Sequence, residues 1–349
     1  MQSACKICQN AQDNRLHTAR EMSFGLRDQF IYLECGHCGC VQIVEIPSDM
    51  EKYYAANYYS LQPHGKLKTF VRRKWMAHAF GRKSLTGWLF TEFFFAHRSM
   101  LAVRRVNPPK TARILDVGCG QGNLLQDLAW LGYTNLTGVD PFLQRDLIHA
   151  NGVTVFKRHL SEIPGQFDLI MLHHSFEHME QPGQVMAQVA GQLSPGGQVI
   201  LGIPIASSFA WKHYGVNWAN LDAPRHFFLH TTKSIELLAA KCGLVIEKVV
   251  HEGNDEQFWL SEQYAKDIPA NDSRSLKASP VKTILAYGKI RACRARAEEL
   301  NQKQQGDLAC FHLSKPSQGD PGPSRKKLED RLAQAVASHI KRALLNFVT

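Results

Sequence analysis

Between residues 113 and 250 the chain alternates short, uniformly apolar runs with longer stretches whose apolar residues recur at helical spacing. RILDV (113–117), NLTGVD (135–140), VTVF (153–156), FDLIML (167–172), QVILGIP (198–204) and LVIEKVV (244–250) are of strand length and read as buried strands. GNLLQDLAWLG (122–132), PGQVMAQVAGQL (182–193) and TTKSIELLAAKCG (231–243) read as helices, with SPGG and a glycine as stops for the last two. LACFHL (308–313) reads as a last strand at a sheet edge. Strand–helix alternation of this kind predicts an α/β protein built on a doubly wound, mostly parallel seven-stranded sheet.

The flanks follow other patterns. Residues 1–48 bear clustered cysteines and read as a small zinc-ribbon module. Residues 49–110 are aromatic-rich and basic and read as a helical linker or lid, ahead of a main domain over 111–314. Within that domain, 261–305 is polar and suits a helical insertion. SKPSQGDPGPS opens a flexible linker over 315–349, followed by an amphipathic C-terminal helix with Leu328, Leu332, Val336, Ile340 and Leu344 on one face.

Composition adds limits. With 44% hydrophobic and 21% charged residues, the chain can bury a full core. No apolar run approaches the roughly 20 residues that cross a bilayer, and the first fifteen residues have no apolar core of a secretory signal. The expected location is therefore the cytoplasm. The net charge of +10 is local, because residues 61–110 hold eleven Lys/Arg against the single acid Glu92. Such a stretch can be the solvated face of a lid, a lure for a phosphorylated or lipid-linked acceptor at an anionic membrane surface, or an RNA-binding surface. Against RNA, residues 1–50 carry four basic side chains and six acids, the wrong sign for a docking ribbon.

ILDVGCGQGNLL (114–125) carries the most chemical information. A buried strand runs into Asp116-x-Gly118-x-Gly120-x-Gly122, with Cys119 inside the loop, and a helix begins. Glycines there let the backbone turn sharply and come close to a ligand. Asp140, followed by Pro141 at the end of the second strand, can take both hydroxyls of a ribose. The nicotinamide fingerprint G-x-G-x-x-G/A would put Gly or Ala at position 123, where this chain has Asn123. The D-x-G-x-G-x-G form instead resembles the first motif of class I S-adenosylmethionine-dependent methyltransferases. FDLIMLHHSFEHMEQP (167–182) is similar to that family's fourth motif, and LSPGGQVILGIP (193–204) to its strand-five motif. RHLSEIPGQFD (158–168) departs from the third motif, since it lacks the Asp often used for adenine and offers Glu162 or a backbone group. WANLDAPRHFFLHTTKSIELLAAKCGL (218–244) and QFWLSEQYAKDIP (257–269) resemble a subset with a zinc-binding N-terminus. That subset often accompanies sugar and surface-polysaccharide biosynthesis.

The resemblance implies S-adenosylmethionine held by Asp116, Gly118, Cys119, Gly120, Gly122, Asp140, Pro141 and His173. It also implies an acceptor facing the loop after the fourth strand. Methyl transfer to a hydroxyl or acidic C–H needs a proton acceptor, for which His178 with Glu177 is the leading pair and His174 and His226 are accessory. His174-x-x-Glu177-His178 also matches a zinc pattern, but that requires a regular helix, and His174 falls at a strand end. Asp222 and Arg225, in DAPRH, are candidates for acceptor binding, with a plain salt bridge as the alternative for Arg225. Cys5-x2-Cys8 and Cys35-x2-Cys38, 26 residues apart, suit a structural zinc closed by four thiolates. The expected acceptor is a sugar or glycan precursor methylated on oxygen or carbon. An RNA methyltransferase and a non-catalytic scaffold remain as alternatives.

Overall fold

A computed structural model describes residues 4–54 and 98–316. Residues 55–97, most of the basic linker or lid expected over 49–110, and the C-terminal helix lie outside the described residues.

Three strands open the described chain: β1 (Arg15–Arg20), β2 (Gln29–Glu34) and β3 (Val41–Ile43). Helix α1 (Arg98–Val106) then leads into β4 (Arg113–Val117), α2 (Asn123–Trp130), β5 (Asn135–Val139), the two-residue β6 (Leu147–Ile148) and β7 (Thr154–Phe156). Next come β8 (Phe167–His173), α3 (Pro182–Gln192), β9 (Leu193–Pro204), α4 (Phe209–Tyr214) and β10 (Phe228–Leu229). Last are α5 (Thr232–Lys241), β11 (Val245–His251), α6 (Glu256–Ala265), α7 (Pro280–Leu285), α8 (Tyr287–Gln302) and β12 (Leu308–Ser314).

The main sheet has the order β11-β12-β9-β8-β4-β5-β7-β6. Pairings among β9, β8, β4, β5 and β7 are parallel, while β12 runs antiparallel to both β9 and β11. Side chains alternate between its faces. Ile114, Leu169 and Met171 join one core with Met100, Val103, Leu125 and Leu128. Leu115, Ile170 and Leu172 join the other with Val189 and Ile235. Covering both faces is what a near-continuous apolar strand demands, so the expected Rossmann-like α/β architecture is present.

Two expectations are corrected. The sheet has eight strands rather than seven, because His149 and the turn after it let Leu147–Ile148 pair antiparallel with β7. LACFHL is not an edge strand: it lies between β9 and β11, with Ala309 through Leu313 buried. The helices α6 to α8 return the chain so that β12 enters antiparallel, and its run of apolar residues reflects burial on both faces.

The second sheet, β1-β2-β3-β10, is antiparallel throughout and joins the cysteine-bearing segment to the loop after β9. Thr231 Oγ1 donates to the Cys38 carbonyl at 2.6 Å and Lys241 Nζ to the Ile7 carbonyl at 3.0 Å. Cys5, Ile7, Tyr32, Leu33 and Val41 share one hydrophobic core with Leu115, Leu201, Phe228 and Ile235.

Phe311 is fully buried in β12, so Phe311→Ala should cost about 3–5 kcal/mol. Urea unfolding measures this, and a loss below about 1 kcal/mol, typical of exposed positions, would contradict an interior strand.

Candidate cofactor and acceptor site

The parallel strands end together, and their exits form the site. After β4 the chain makes the glycine loop. Gly118, Gly120 and Gly122 all have φ between 54 and 72°, the left-handed region that side chains disfavour. Gly118 has a further constraint: a Cβ there would stand 2.4 Å from Ser175 Cβ. Ser175, in the turn after β8, donates from Oγ to the Val117 carbonyl at 2.8 Å, which ties the two loops together. Cys119 packs its thiol behind the loop, where a Cβ on Gly138 would meet Sγ at 2.6 Å.

Asp140 lies just past β5. Its carboxylate accepts from the Gly120 N–H at 2.9 Å and the Phe142 N–H at 3.0 Å, so it is fixed against the glycine loop. Burial raises its pKa while these two N–H bonds oppose the rise. Burial first, then the Asp140 charge, push the Asp116 carboxyl up to about 7. Two neighbouring buried acids are thus held above the usual carboxylate range, and a positive charge between them would lower both. Phe142, next to Pro141, keeps 73% of its surface exposed and stacks on Tyr54 at 6.4 Å between ring centroids. Glu162 is otherwise engaged: its carboxylate accepts from the His159 N–H at 2.7 Å, capping a 3-10 turn.

The turn after β8 carries the histidines. His173 ends the strand, half-buried, and a Cβ on Gly202 would approach its Nδ1 to 3.0 Å. His174 has φ 52°, is half exposed, and accompanies Glu177 at 3.5 Å from Nδ1 to Oε1. Phe176–His178 form a single 3-10 turn. The regular helix required for His174 and His178 to share a metal is therefore not formed. His226, distant in sequence, packs against His178 instead, with ring centroids 4.8 Å apart. One atom each of Glu177, His178 and His226 lie within 4.8 Å of one another.

Glu177 is 0% exposed, and among the described residues neither carboxylate oxygen has a close hydrogen-bond partner. Burial pushes its pKa up, but His174 and the other flanking imidazoles outweigh it and hold the carboxyl at about 2. Burial, reinforced by His178, lowers the His226 pKa to about 4. Each imidazole is oriented by a backbone carbonyl: His178 Nδ1 lies 2.7 Å from the Arg225 oxygen, and His226 Nδ1 lies 2.7 Å from the Asn220 oxygen.

Asp222 and Arg225 form an ion pair. Ser23 Oγ donates to Asp222 at 2.7 Å, Arg225 Nη2 donates to Ser23 Oγ at 2.8 Å, and the guanidinium lies over Phe24 at 5.2 Å. The pair braces the loop that carries His226. Burial pushes the Asp222 pKa up, but Arg225 and His226 bring it down on balance. Tyr32 on β2, which the sequence reading did not single out, donates its hydroxyl to the His226 carbonyl at 3.0 Å. Ser175 was also passed over. The need for a small side chain opposite Gly118 becomes visible only once β4 and β8 are neighbours.

Cys5, Cys8, Cys35 and Cys38 converge, with Sγ–Sγ distances of 3.7 Å for Cys5–Cys38 and 3.5 Å for Cys8–Cys35. A tetrahedral zinc with bonds of about 2.3 Å separates its sulfurs by roughly 3.8 Å, so the four thiolates fit that ion. The Ile7 N–H points at Cys5 Sγ, and the His37 and Cys38 N–H groups at Cys35 Sγ, each at 3.4 Å, stabilising thiolate charge.

Residues 93–249 match a methyltransferase domain family. The ubiquinone biosynthesis O-methyltransferase of Pseudomonas aeruginosa (strain UCBPP-PA14) is 35% identical over 100 residues, 26% of this chain and 43% of that protein. The protein of the same name from Xanthomonas euvesicatoria pv. vesicatoria is 31% identical over 155 residues, 40% of this chain and 64% of that protein. The chain therefore spans less than two thirds of these relatives. Among solved structures, a cyclopropane synthase from Mycobacterium tuberculosis aligns with 62% of this chain and 82% of its own, at 15% identity and a TM-score of 0.40. An S-adenosylmethionine-dependent methyltransferase from Mesorhizobium loti aligns with 62% and 97%, at 16% identity and a TM-score of 0.38. The matched stretch contains the glycine loop, Asp140 and the 173–178 turn, and this part of the chain is a methyltransferase domain with the Rossmann-like sheet.

Proposed function

We propose that the protein transfers a methyl group from S-adenosylmethionine to an oxygen or carbon of a small hydroxylated acceptor, a sugar or glycan precursor, in the cytoplasm. The observation that carries the cofactor reading is the buried acid pair Asp116 and Asp140 beside a glycine loop held in left-handed conformations. S-adenosylmethionine supplies an electrophilic methyl on a sulfonium centre. Asp116 would meet its positive amino group, Asp140 its ribose hydroxyls, and the backbone at Gly118, Gly120 and Gly122 its methionine portion. Cys119 backs that loop, and Pro141 and His173 flank it. The exposed face of Phe142 suits a flat adenine ring.

The acceptor would lie against Glu177, His178 and His226. A carbonyl oxygen can only accept, so His178 carries its proton on Nδ1 and presents the Nε2 lone pair as the proton acceptor. Glu177 favours the imidazolium that results, and His174 partners Glu177. Asp222 and Arg225 form the wall that holds His226. The similarity to ubiquinone biosynthesis O-methyltransferases favours oxygen as the methylated atom; the sugar class rests on the resemblance of residues 218–244 and 257–269.

We also propose that the four cysteines bind one structural zinc. Because β2 and β3 reach the His226 loop, the ion would support the acceptor side as well as the N-terminal segment.

The Asp116 shift predicts a pH dependence. Its folded pKa, about 7, exceeds the usual carboxyl value, so the cofactor-free chain loses stability as pH rises from about 4 to about 7 and the group ionises. A cationic ligand favours the ionised acid. S-adenosylmethionine affinity should therefore weaken by up to about tenfold per pH unit below about 7, in calorimetry, and Asp116→Asn should flatten that slope. Asp140→Ala should weaken cofactor binding by about 10- to 100-fold, the equivalent of roughly 1.5–3 kcal/mol; unchanged affinity would remove Asp140 from the ribose role.

Native mass spectrometry should find one zinc per chain, and Cys35→Ser should lose it together with thermal stability. An intact, equally stable zinc-free chain would refute the structural ion.

Transfer of radiolabelled methyl groups into a host lysate, fractionated into soluble sugar, lipid-linked, RNA and protein pools, tests the acceptor. Label in a sugar or lipid-linked pool is expected, and His178→Asn should lower it without loss of cofactor binding. Ribonuclease-sensitive label would overturn the sugar class.

A further inference from the structure

Glu177, His178 and His226 have a property that a proton acceptor alone does not require. Among the described residues, neither oxygen of the fully buried Glu177 carboxylate makes a close hydrogen bond, and its nearest ionic neighbour, His174 Nδ1, stands 3.5 Å from Oε1. Such a group costs several kcal/mol unless something else in the site compensates it. The imidazoles beside it are locked as Nδ1–H tautomers, because each Nδ1 faces a backbone carbonyl at 2.7 Å and a carbonyl has no proton to give. That leaves an Nε2 lone pair on each ring. His226 Nε2 lies 3.7 Å from Asp222 Oδ2, too far for a close hydrogen bond. The site gathers donors of electron pairs from two stretches of chain, the turn after β8 and the loop that carries His226.

We infer that Glu177, His178 and His226 form a binding site for a first-row divalent transition-metal cation, separate from the four-cysteine cluster. Two imidazoles and a carboxylate are the donor set such ions prefer over magnesium or calcium, which favour oxygen. The orientation of each ring by a backbone carbonyl is the support that metal-bound histidines need. One possible ligand atom of each residue lies within 4.8 Å of those of the others, and bonds of about 2.1 Å would set the donors roughly 3.0–3.4 Å apart. This contraction is within reach of small rotations of the two rings. Three protein ligands leave coordination positions open. Ser175, two residues before Glu177, touches the glycine loop, so those positions lie in the neighbourhood of the proposed cofactor. With a cation bound, His178 is a ligand rather than a base, and a hydroxyl coordinated beside it loses its proton to solvent more readily. The inference goes beyond methyl transfer and stands or falls on metal binding alone.

Manganese(II) is a suitable probe, because it prefers nitrogen and oxygen donors to thiolates. The full chain, with its cysteine cluster loaded with zinc, is titrated with manganese and the free ion followed by its electron paramagnetic resonance signal. Saturable uptake of one equivalent is expected, weakened at least tenfold in Glu177→Gln and in His226→Gln. S-adenosylmethionine binding to the same samples verifies that each variant is folded, and if Glu177→Gln fails to fold, His226→Gln carries the test. Affinity unchanged in the folded variants, or no saturable uptake by the native chain, would overturn the inference. Loss of manganese binding with cofactor binding intact cannot arise from failure of the methyltransferase reading, which predicts nothing about the metal.

Discussion

A hydrogen atom in place of a side chain at Gly118 is the constraint on which the site depends. With a Cβ only 2.4 Å from that of Ser175, any other residue would force the glycine loop and the turn after β8 apart. Because the two are in contact, Ser175 can bond the Val117 carbonyl, and the polypeptide then turns directly into Phe176–His178. The proposed cofactor cradle and the proposed acceptor wall are therefore two sides of one contact. Asp140 reinforces it by accepting the Gly120 N–H, so that the carboxylate proposed to meet the ribose also shapes the loop.

The electrostatics on the two sides differ in sign and purpose. Around the glycine loop, burial raises the pKa values of Asp116 and Asp140. Around His226, a buried acid is surrounded by imidazoles and its pKa falls. A cationic ligand is favoured on the first side. On the second side, the proposed proton acceptor and the proposed metal site draw on the same imidazoles, each oriented by a backbone carbonyl.

The N-terminal cysteine segment contributes to the same arrangement. Its strands pair with β10, its Tyr32 holds the His226 carbonyl, and its Ser23 binds Asp222 and Arg225. A segment of under fifty residues cannot bury enough surface to stand without a staple, and here it shares its core with the main sheet. A cross-link at the cysteines would thus reach the acceptor wall through hydrogen bonds and strand pairing.

Local chemistry written in consecutive residues was legible. Period, glycine spacing and the acid after the second strand gave the parallel sheet, the loop and Asp140, since each depends on only a few neighbouring positions. The paired C-x2-C spacings likewise identified the thiolate cluster. What the linear order could not decide was adjacency between distant segments. It paired Glu177 with His178, left His174 and His226 as accessory, and argued against a metal held by His174 and His178 because His174 ends a strand; the chain indeed leaves β8 in a left-handed conformation at His174. His226, nearly fifty residues away, takes the adjacent place because strand pairing and the Tyr32 hydroxyl bring its loop there. The position of β12 inside the sheet was hidden for the same reason. An apolar run records that a strand is buried, whereas its neighbours are chosen by the long-range hydrogen bonds that close the sheet.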